Sequence, residues 1–293
     1  MTEKKTEIAL IGGPGLGDNL IQMVFVHNAH LADKNVTIFS NVMCQLKRWF
    51  PFWTIEPSLD KENFNRQLMK FEKIFSPAPP APWAAKEIKQ KWINYEEMFD
   101  PRINRVENIV LASRHFLKIQ HPSQKNGIQI PKTLRWRHHQ NRVILNPTSA
   151  NEDKNWQPKK FIALAHRIKK QNMEPVFIMS KPELAQWESV INGQFPLHGF
   201  PNIDECAAFI YESGFFIGND SGGGHLASNL NIPTLSIHGR KGKAQTWRPG
   251  WGTVVVVIPP INLIGGNLRQ RHWKLFLTVN RVEKSFWELF KLV

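Results

Sequence analysis

The sequence predicts an α/β protein of two doubly wound parallel-sheet domains, and three observations carry that expectation. Strand-length apolar runs alternate with helix-length amphipathic ones along the 293-residue chain, the pattern of parallel strands joined by helical crossovers. Two of the strands, at 7–11 and 215–217, lead into glycine-rich turns followed by helix starts. The length suits two domains of roughly 100–150 residues, each able to bury its own core. Ligands of such sheets sit beyond the carboxyl ends of the strands, where Asp18, Thr148, Ser149, Lys154, Glu183 and Asp220 all fall.

The strand at 7–11 runs into Gly12-Gly13-Pro14-Gly15-Leu16-Gly17-Asp18-Asn19 and then an apolar helix at 20–26. The turn lacks the G-x-G-x-x-G spacing of a dinucleotide fingerprint. The next strand, 36–39, ends in Ser40-Asn41 with no acidic residue, which excludes NAD. Asp18 stands in the first turn of its helix, where the dipole favours a carboxylate; a helix cap and a functional acid are both open for it. A helix at 42–50 and a strand at 71–75 follow. The proline-rich stretch 76–82 can carry neither ladder nor helix and reads as a surface loop. Trp83, Lys86, Lys89, Lys91 and Trp92 then make a basic segment with two readings: a solvated helix with both tryptophans turned inward, or a contact for an anionic acceptor or membrane surface. A helix over 108–119 and a polar stretch over 121–132 lead to a domain boundary at 130.

The second half repeats the first in kind. A basic run, 135–142, precedes the strand 143–146. The loop Pro147 to Pro158 opens the helix 161–168, with proline where a helix needs no N–H. A strand at 175–179, helices at 183–191 and 204–212, and strands at 215–217, 234–237 and 254–258 come next, and a helix at 282–292 closes the chain. Between strand and helix, Asp220-Ser221-Gly222-Gly223-Gly224-His225 admits two readings. It is a capped turn without a ligand, or a cradle whose glycines let a phosphate approach free helix N–H groups. His138 and His139 are adjacent, point apart in extended chain and lack carboxylate company, so no metal site is expected of them.

Composition narrows the partners. Hydrophobic content of 42% with 21% charged residues excludes wholesale disorder. A net charge of +14 asks for something anionic: nucleic acid, a membrane surface or a phosphorylated substrate. The basic residues are dispersed and no nucleic-acid-binding motif accompanies them, so nucleic acid is not expected. Two distant cysteines, Cys44 and Cys206, build neither a disulfide framework nor a cysteine zinc site, which fits a reducing cytoplasm. The N-terminal residues lack the apolar core of a signal peptide, and no run reaches the ~18 apolar residues of a membrane span. The expectation is a cytoplasmic protein that at most touches the inner face of the cytoplasmic membrane.

Three segments, read together, resemble the heptosyltransferases of lipopolysaccharide core assembly, glycosyltransferase family 9. The first is the strand followed by Gly15-Leu16-Gly17-Asp18, similar to the family's N-terminal G-D turn. The second is Thr148-Ser149 with Lys154-Asn155-Trp156-Gln157-Pro158, Phe161 and Leu164-Ala165, similar to T-T/S…K-x-W-P…F-x-x-L-A. The third is Asp220 to Ala227 with Ile232-Pro233-Thr234 and Gly239, similar to D-T/S-G-x-x-H-L-A…G-V-P-T…F-G. Two departures stand out. Gln157 splits the Trp-Pro pair, and Gly239-Arg240-Lys241-Gly242-Lys243 replaces a Gly-Pro-Thr-Asp-Pro type run.

The resemblance implies the GT-B fold, two Rossmann-like domains facing across a cleft. Residues 1–130 would form the acceptor side and 131–275 the nucleotide-sugar side, with 276–293 a helix packing back toward the first domain. It implies an inverting, metal-independent glycosyltransferase without cofactor. The transfer would take a sugar, plausibly heptose from ADP-heptose, to a lipopolysaccharide core or other anionic surface-glycan acceptor. Asp18 would be the general base. Thr148, Ser149 and Lys154 would hold the donor diphosphate, with Glu183 on the ribose and Asp220 on the sugar. The backbone of Ser221, Gly222, Gly223 and Gly224 would take the diphosphate, and His225 would support that turn or reach the phosphates. The residue types suit the chemistry: a carboxylate on one side of the anomeric carbon, a cationic cradle for the leaving diphosphate on the other, and no Asp-x-Asp triplet. Two other readings stay open: a nucleotide-sugar epimerase on this fold, which would turn over donor alone, and a non-catalytic nucleotide-sugar-binding protein.

Overall fold

A computed structural model describes residues 5–260 and 272–293. The chain divides into two compact units, Met1–Pro131 and Lys132–Val293.

The first unit holds five parallel strands: β1 (Glu7–Ile11), β2 (Asn35–Phe39), β3 (Thr54–Glu56), β4 (Lys73–Ser76) and β5 (Trp92–Asn94), in the order β3-β2-β1-β4-β5. Helix α1 (Leu16–Leu31) returns the chain from β1 to β2, and most of its residues are buried, Leu20 to Val26 among them. A helix apolar nearly all round belongs inside a domain rather than on its surface. It packs against α5 (Arg105–Leu117), and its Phe25 ring lies 4.5 Å from that of Phe75. The helix expected at 42–50 is instead one turn, α2 (Asn41–Cys44), and a 3-10 turn, Lys47–Trp49. Met43, Leu46, Trp49 and Phe50 are all buried, a helix-like spacing that a compact double turn satisfies equally well. Strands β3 and β5 escape sequence reading because three residues at a sheet edge are too few to show alternation.

Helix α3 (Phe64–Leu68) and helix α4 (Lys86–Lys91) flank the proline-rich loop. The basic segment fastens that loop and the end of α3. Lys89 Nζ donates to the Pro82 carbonyl at 2.6 Å, Lys91 Nζ to that of Met69 at 2.8 Å, and Trp92 Nε1 to that of Ala78 at 2.8 Å. Trp83 differs from Trp92: it stays 42% exposed with Lys61 over its ring.

The second unit holds six parallel strands: β6 (His139–Asn146), β7 (Glu174–Ser180), β8 (Leu197–Phe200), β9 (Ser213–Asn219), β10 (Thr234–Ile237) and β11 (Val254–Val257). Their order is β11-β10-β9-β6-β7-β8. Central β9 is buried along its whole length, as a strand covered on both faces by helices must be. Helices α6 (Pro158–Lys169), α7 (Leu184–Ile191), α8 (Ile203–Tyr211), α9 (Gly222–Asn229) and α10 (Lys241–Trp247) make the crossovers. The basic run 135–142, whose end forms the start of β6, caps aromatic faces: Arg137 lies over Phe215 at 4.9 Å and Arg142 over Phe209 at 4.4 Å. No described helix is long and apolar enough to cross a membrane.

The terminal helix, Val279–Phe290, is built into the second unit, where Val282, Phe286 and Leu289 are fully buried against α6, β10 and β11. Those positions fall at i, i+4 and i+7, one apolar stripe, and Phe286 meets Phe215 of β9 edge-on at 5.4 Å. Phe286→Ala is expected to destabilise the second unit by about 3–5 kcal/mol, measured as a lowered urea midpoint by tryptophan fluorescence.

Candidate active site

The strand order creates the site. In the second unit the winding starts at β6 and runs outward through β7 and β8, then resumes beside β6 with β9 and runs the other way. The loops after β6 and β9 therefore leave in opposite directions and open a crevice at the carboxyl end of the sheet. Asn146, Thr148 and Ser149 lie on one side of it, Asp220 and Ser221 on the other.

Two asparagines at the strand ends hold the crevice in shape. Asn219, fully buried, donates from Nδ2 to the Pro147 carbonyl at 2.6 Å and accepts from the Trp156 N–H at 3.0 Å. Asn146 donates to the Ile178 carbonyl at 3.1 Å and accepts from Ser221 Oγ at 3.3 Å. A Cβ on Gly223 would stand 2.6 Å from Asn146 Oδ1, so a side chain there would displace the Asn146 amide whether or not a ligand is bound. Helix α9 begins at Gly222, and Ser221 before it gives no side-chain cap, which leaves the first-turn N–H groups to an outside acceptor.

The expected donor residues fall into two groups. Lys154 Nζ lies 3.0 Å from Asp220 Oδ2, and Asp220 is nearly buried. Lys154 ends a 3-10 turn, Glu152–Lys154, capped by Asn151. Trp273 Nε1 donates to the Asp153 carbonyl at 3.0 Å and Lys274 Nζ to the Glu152 carbonyl at 2.7 Å, tying the same turn to the chain before the terminal helix. The second group joins Thr148 to Glu183: Thr148 Oγ1 donates to Glu183 Oε2 at 3.2 Å, and the Ser180 hydroxyl and N–H, the latter at 3.1 Å, donate to that same oxygen. Ser149 turns to its own loop, donating to the Asn151 carbonyl and to Asn155 Oδ1.

His225 is buried, and its Nδ1 has no partner among the described residues. Burial pulls its pKa down to about 4, with the neighbouring charges of His238 and Lys154 acting in the same sense and Asp220 against them. His238, which sequence reasoning passed over, is also buried beside Asp220. Burial lowers its pKa too, again opposed by Asp220 and aided by Lys154. Both rings are neutral near pH 7.

In the first unit the glycine turn is folded onto Asn19. Its Nδ2 donates to the carbonyls of Gly13 and Gly15, each at 2.7 Å, and its Oδ1 accepts from Ser40 Oγ at 2.7 Å. The N-cap position of α1 is taken by Gly15, so Asp18 is not the cap but the third helical residue. Its carboxylate lies back over the turn, and a Cβ on Gly15 would stand 2.4 Å from Oδ2. Asp18 belongs to a buried polar neighbourhood. Burial drives the Tyr95 phenol well above its ordinary range, and the Glu96 and Asp18 carboxylates add to that. A side-chain hydrogen bond with Gln22 acts in the opposite sense.

A family model for "Glycosyltransferase family 9 (heptosyltransferase)" matches residues 83–259. The chain belongs to glycosyltransferase family 9. The match runs from the basic segment through β11 and takes in every donor-side residue named above. Within family 9, the chain is 32% identical over 117 residues to lipopolysaccharide heptosyltransferase 3 of Escherichia coli; the aligned part covers 38% of this chain and 34% of that protein. Among solved structures, the Escherichia coli ADP-heptose lipopolysaccharide heptosyltransferase II is similar with a TM-score of 0.75 at 12% identity, covering 98% of this chain and 99% of that one. A family 9 glycosyl transferase from Veillonella parvula is similar with a TM-score of 0.77 at 14% identity, covering 100% and 99%. The two parallel α/β units are thus those of the GT-B heptosyltransferases.

The buried histidines have a consequence for pH. A folded-state pKa below the unfolded 6.5 means that, between the two values, unfolding takes up a proton that the folded chain refuses. Stability is therefore full above about 6.5 and falls as pH drops toward 4, by a few kcal/mol for a shift of this size. Melting temperature followed from pH 8 to 4 is expected to fall, and to fall less in His225→Met.

Proposed function

We propose that this family 9 protein is an inverting, metal-independent glycosyltransferase that moves heptose from ADP-heptose to a hydroxyl of a lipopolysaccharide-type or other anionic surface glycan. The observation that carries the reading is the pairing of Lys154 with Asp220 at the switch point, beside the uncapped start of α9. A cation and a row of helix N–H groups suit a leaving nucleoside diphosphate, and a carboxylate next to them suits sugar hydroxyls. Two of the three similar proteins are named lipopolysaccharide heptosyltransferases, one of them an ADP-heptose lipopolysaccharide heptosyltransferase, and those names support this choice of donor and acceptor class.

In the proposed reaction Asp18 takes the proton of the acceptor hydroxyl as its oxygen bonds to the anomeric carbon. The bond from that carbon to the diphosphate oxygen breaks on the opposite face, and ADP departs with both electrons of the broken bond. Lys154 and the α9 N–H groups stabilise the growing negative charge, a contribution of about a few kcal/mol in a partly desolvated crevice. Thr148 and Ser149 contact the diphosphate, Glu183 the ribose and Asp220 the transferred sugar. His225, neutral and buried, supports the turn and carries no charge to the phosphates. The +14 charge suits a phosphorylated acceptor presented at the inner face of a membrane.

The test is transfer from ADP-heptose to a heptose-deficient lipopolysaccharide acceptor, with product configuration read by NMR. Asp18→Asn is expected to lower turnover at least about 100-fold with donor affinity little changed; near-normal turnover would remove Asp18 as the base. Lys154→Ala is expected to weaken both donor binding and turnover, and unchanged affinity in calorimetry would move the diphosphate elsewhere. Conversion of donor to an isomer without acceptor would decide for the epimerase.

A further inference from the structure

We propose that His238 is a positioning residue that replaces Lys154 as the hydrogen-bond donor to Asp220 when the donor diphosphate draws the lysine away. The inference rests on the donor-site reading and adds a step to it. Lys154 has one flexible cation and two claims upon it. Its ammonium lies 3.0 Å from Asp220 Oδ2, yet the same ammonium is the charge that the diphosphate needs. Turning to the phosphate would take the ion-pair partner from a carboxylate whose side chain is only 9% exposed and leave it to the neutral sugar hydroxyls, and a buried anion short of donors is disfavoured.

His238 stands where a substitute is needed. Its ring is 1% exposed, at the carboxyl end of β10, and its Nδ1 lies 3.8 Å from the same Asp220 oxygen. That is just beyond hydrogen-bonding reach. The atom is fully buried and has no hydrogen-bond partner among the described residues, an uncommon state for a buried polar group. The other nitrogen, Nε2, is 2.9 Å from Ser236 Oγ. A carboxylate facing Nδ1 favours the tautomer protonated there, with the serine hydroxyl donating to Nε2. Ser236 thus aims an N–H at Asp220 that it cannot use while Lys154 occupies the oxygen. A displacement of less than an ångström would complete the bond as the lysine leaves. His225, also buried with an unpaired Nδ1, has no hydroxyl on its other nitrogen to set its tautomer among the hydrogen bonds described for it.

Two arms test the handover. Calorimetric titration of ADP-heptose should show His238→Leu binding about 10-fold more weakly than the wild type. His238→Asn, whose amide N–H stands near the Nδ1 position, should stay within about threefold of it. Equal weakening in both, or none in the leucine variant, overturns the proposal. The second arm needs no donor. In ¹⁵N-histidine NMR of ligand-free Lys154→Met, the Nδ1 of His238 should take the shift of a strongly hydrogen-bonded N–H, and the same change should appear in wild type saturated with ADP-heptose. An unchanged Nδ1 in Lys154→Met refutes the handover. Failure of the wild type to bind ADP-heptose or any other nucleoside diphosphate sugar would sink the donor-site reading instead, and the ligand-free arm would still decide the role of His238.

Discussion

Pairing β6 with β9 sets Asn146 beside Gly218 in the middle of a six-stranded parallel sheet, and the polar architecture of the second unit is arranged around the gap that this leaves. Neither strand tolerates much variation: Val143, Ile144 and Leu145 on one and Phe215, Phe216 and Ile217 on the other are essentially inaccessible to water. A slip of one residue would exchange the faces of the slipped strand, and it would also move Thr148 and Asp220 out of step. The apolar register and the chemical register are therefore one property. The core fixes where the carboxylate and its lysine meet.

Strand ends are where parallel sheets have unsatisfied backbone groups, and this protein meets that need with neutral amides. Asn19, Asn146 and Asn219 each join a strand-end or turn carbonyl to a group on another loop. An amide donates and accepts at once, so it can close a loop without bringing a charge into a buried place. The two carboxylates nearest the crevice are treated differently. Glu183 is satisfied by neutral donors from Ser180 and Thr148, while Asp220 carries a cation. One is held firmly, and the other keeps an exchangeable partner.

Much of this was legible in the residues. Alternating apolar runs announce two wound sheets, and the glycine-rich turns announce where a phosphate could be received. The pairings are less visible. Nothing in the spacing of Lys154 and Asp220, or of Thr148 and Glu183, says that they touch, because strand order decides it and strand order is a long-range property. His238 was overlooked because it follows an apolar strand as a single histidine, which reads as core. Asn146 and Asn219 offered a signal that could have been used: asparagine is disfavoured in strands, and both end fully apolar runs. The short edge strands carry too few residues to declare a period, and the stripe of Val282, Phe286 and Leu289 says only that the terminal helix is buried, not against what.

The turn bearing Lys154 is moored on several sides, by Asn151 within it, by Ser149 and Asn155 before and after it, and by Trp273 and Lys274 from the end of the chain. Its freedom is thus surrendered when the chain folds and is not charged again to each arriving ligand. What remains loose is the lysine's own aliphatic stem, so the entropy lost on capture of a phosphate is that of one side chain and not of a loop. Recognition at this crevice is in that sense inherited from folding, and the residues that confer it include some, far along the chain, that touch no ligand at all.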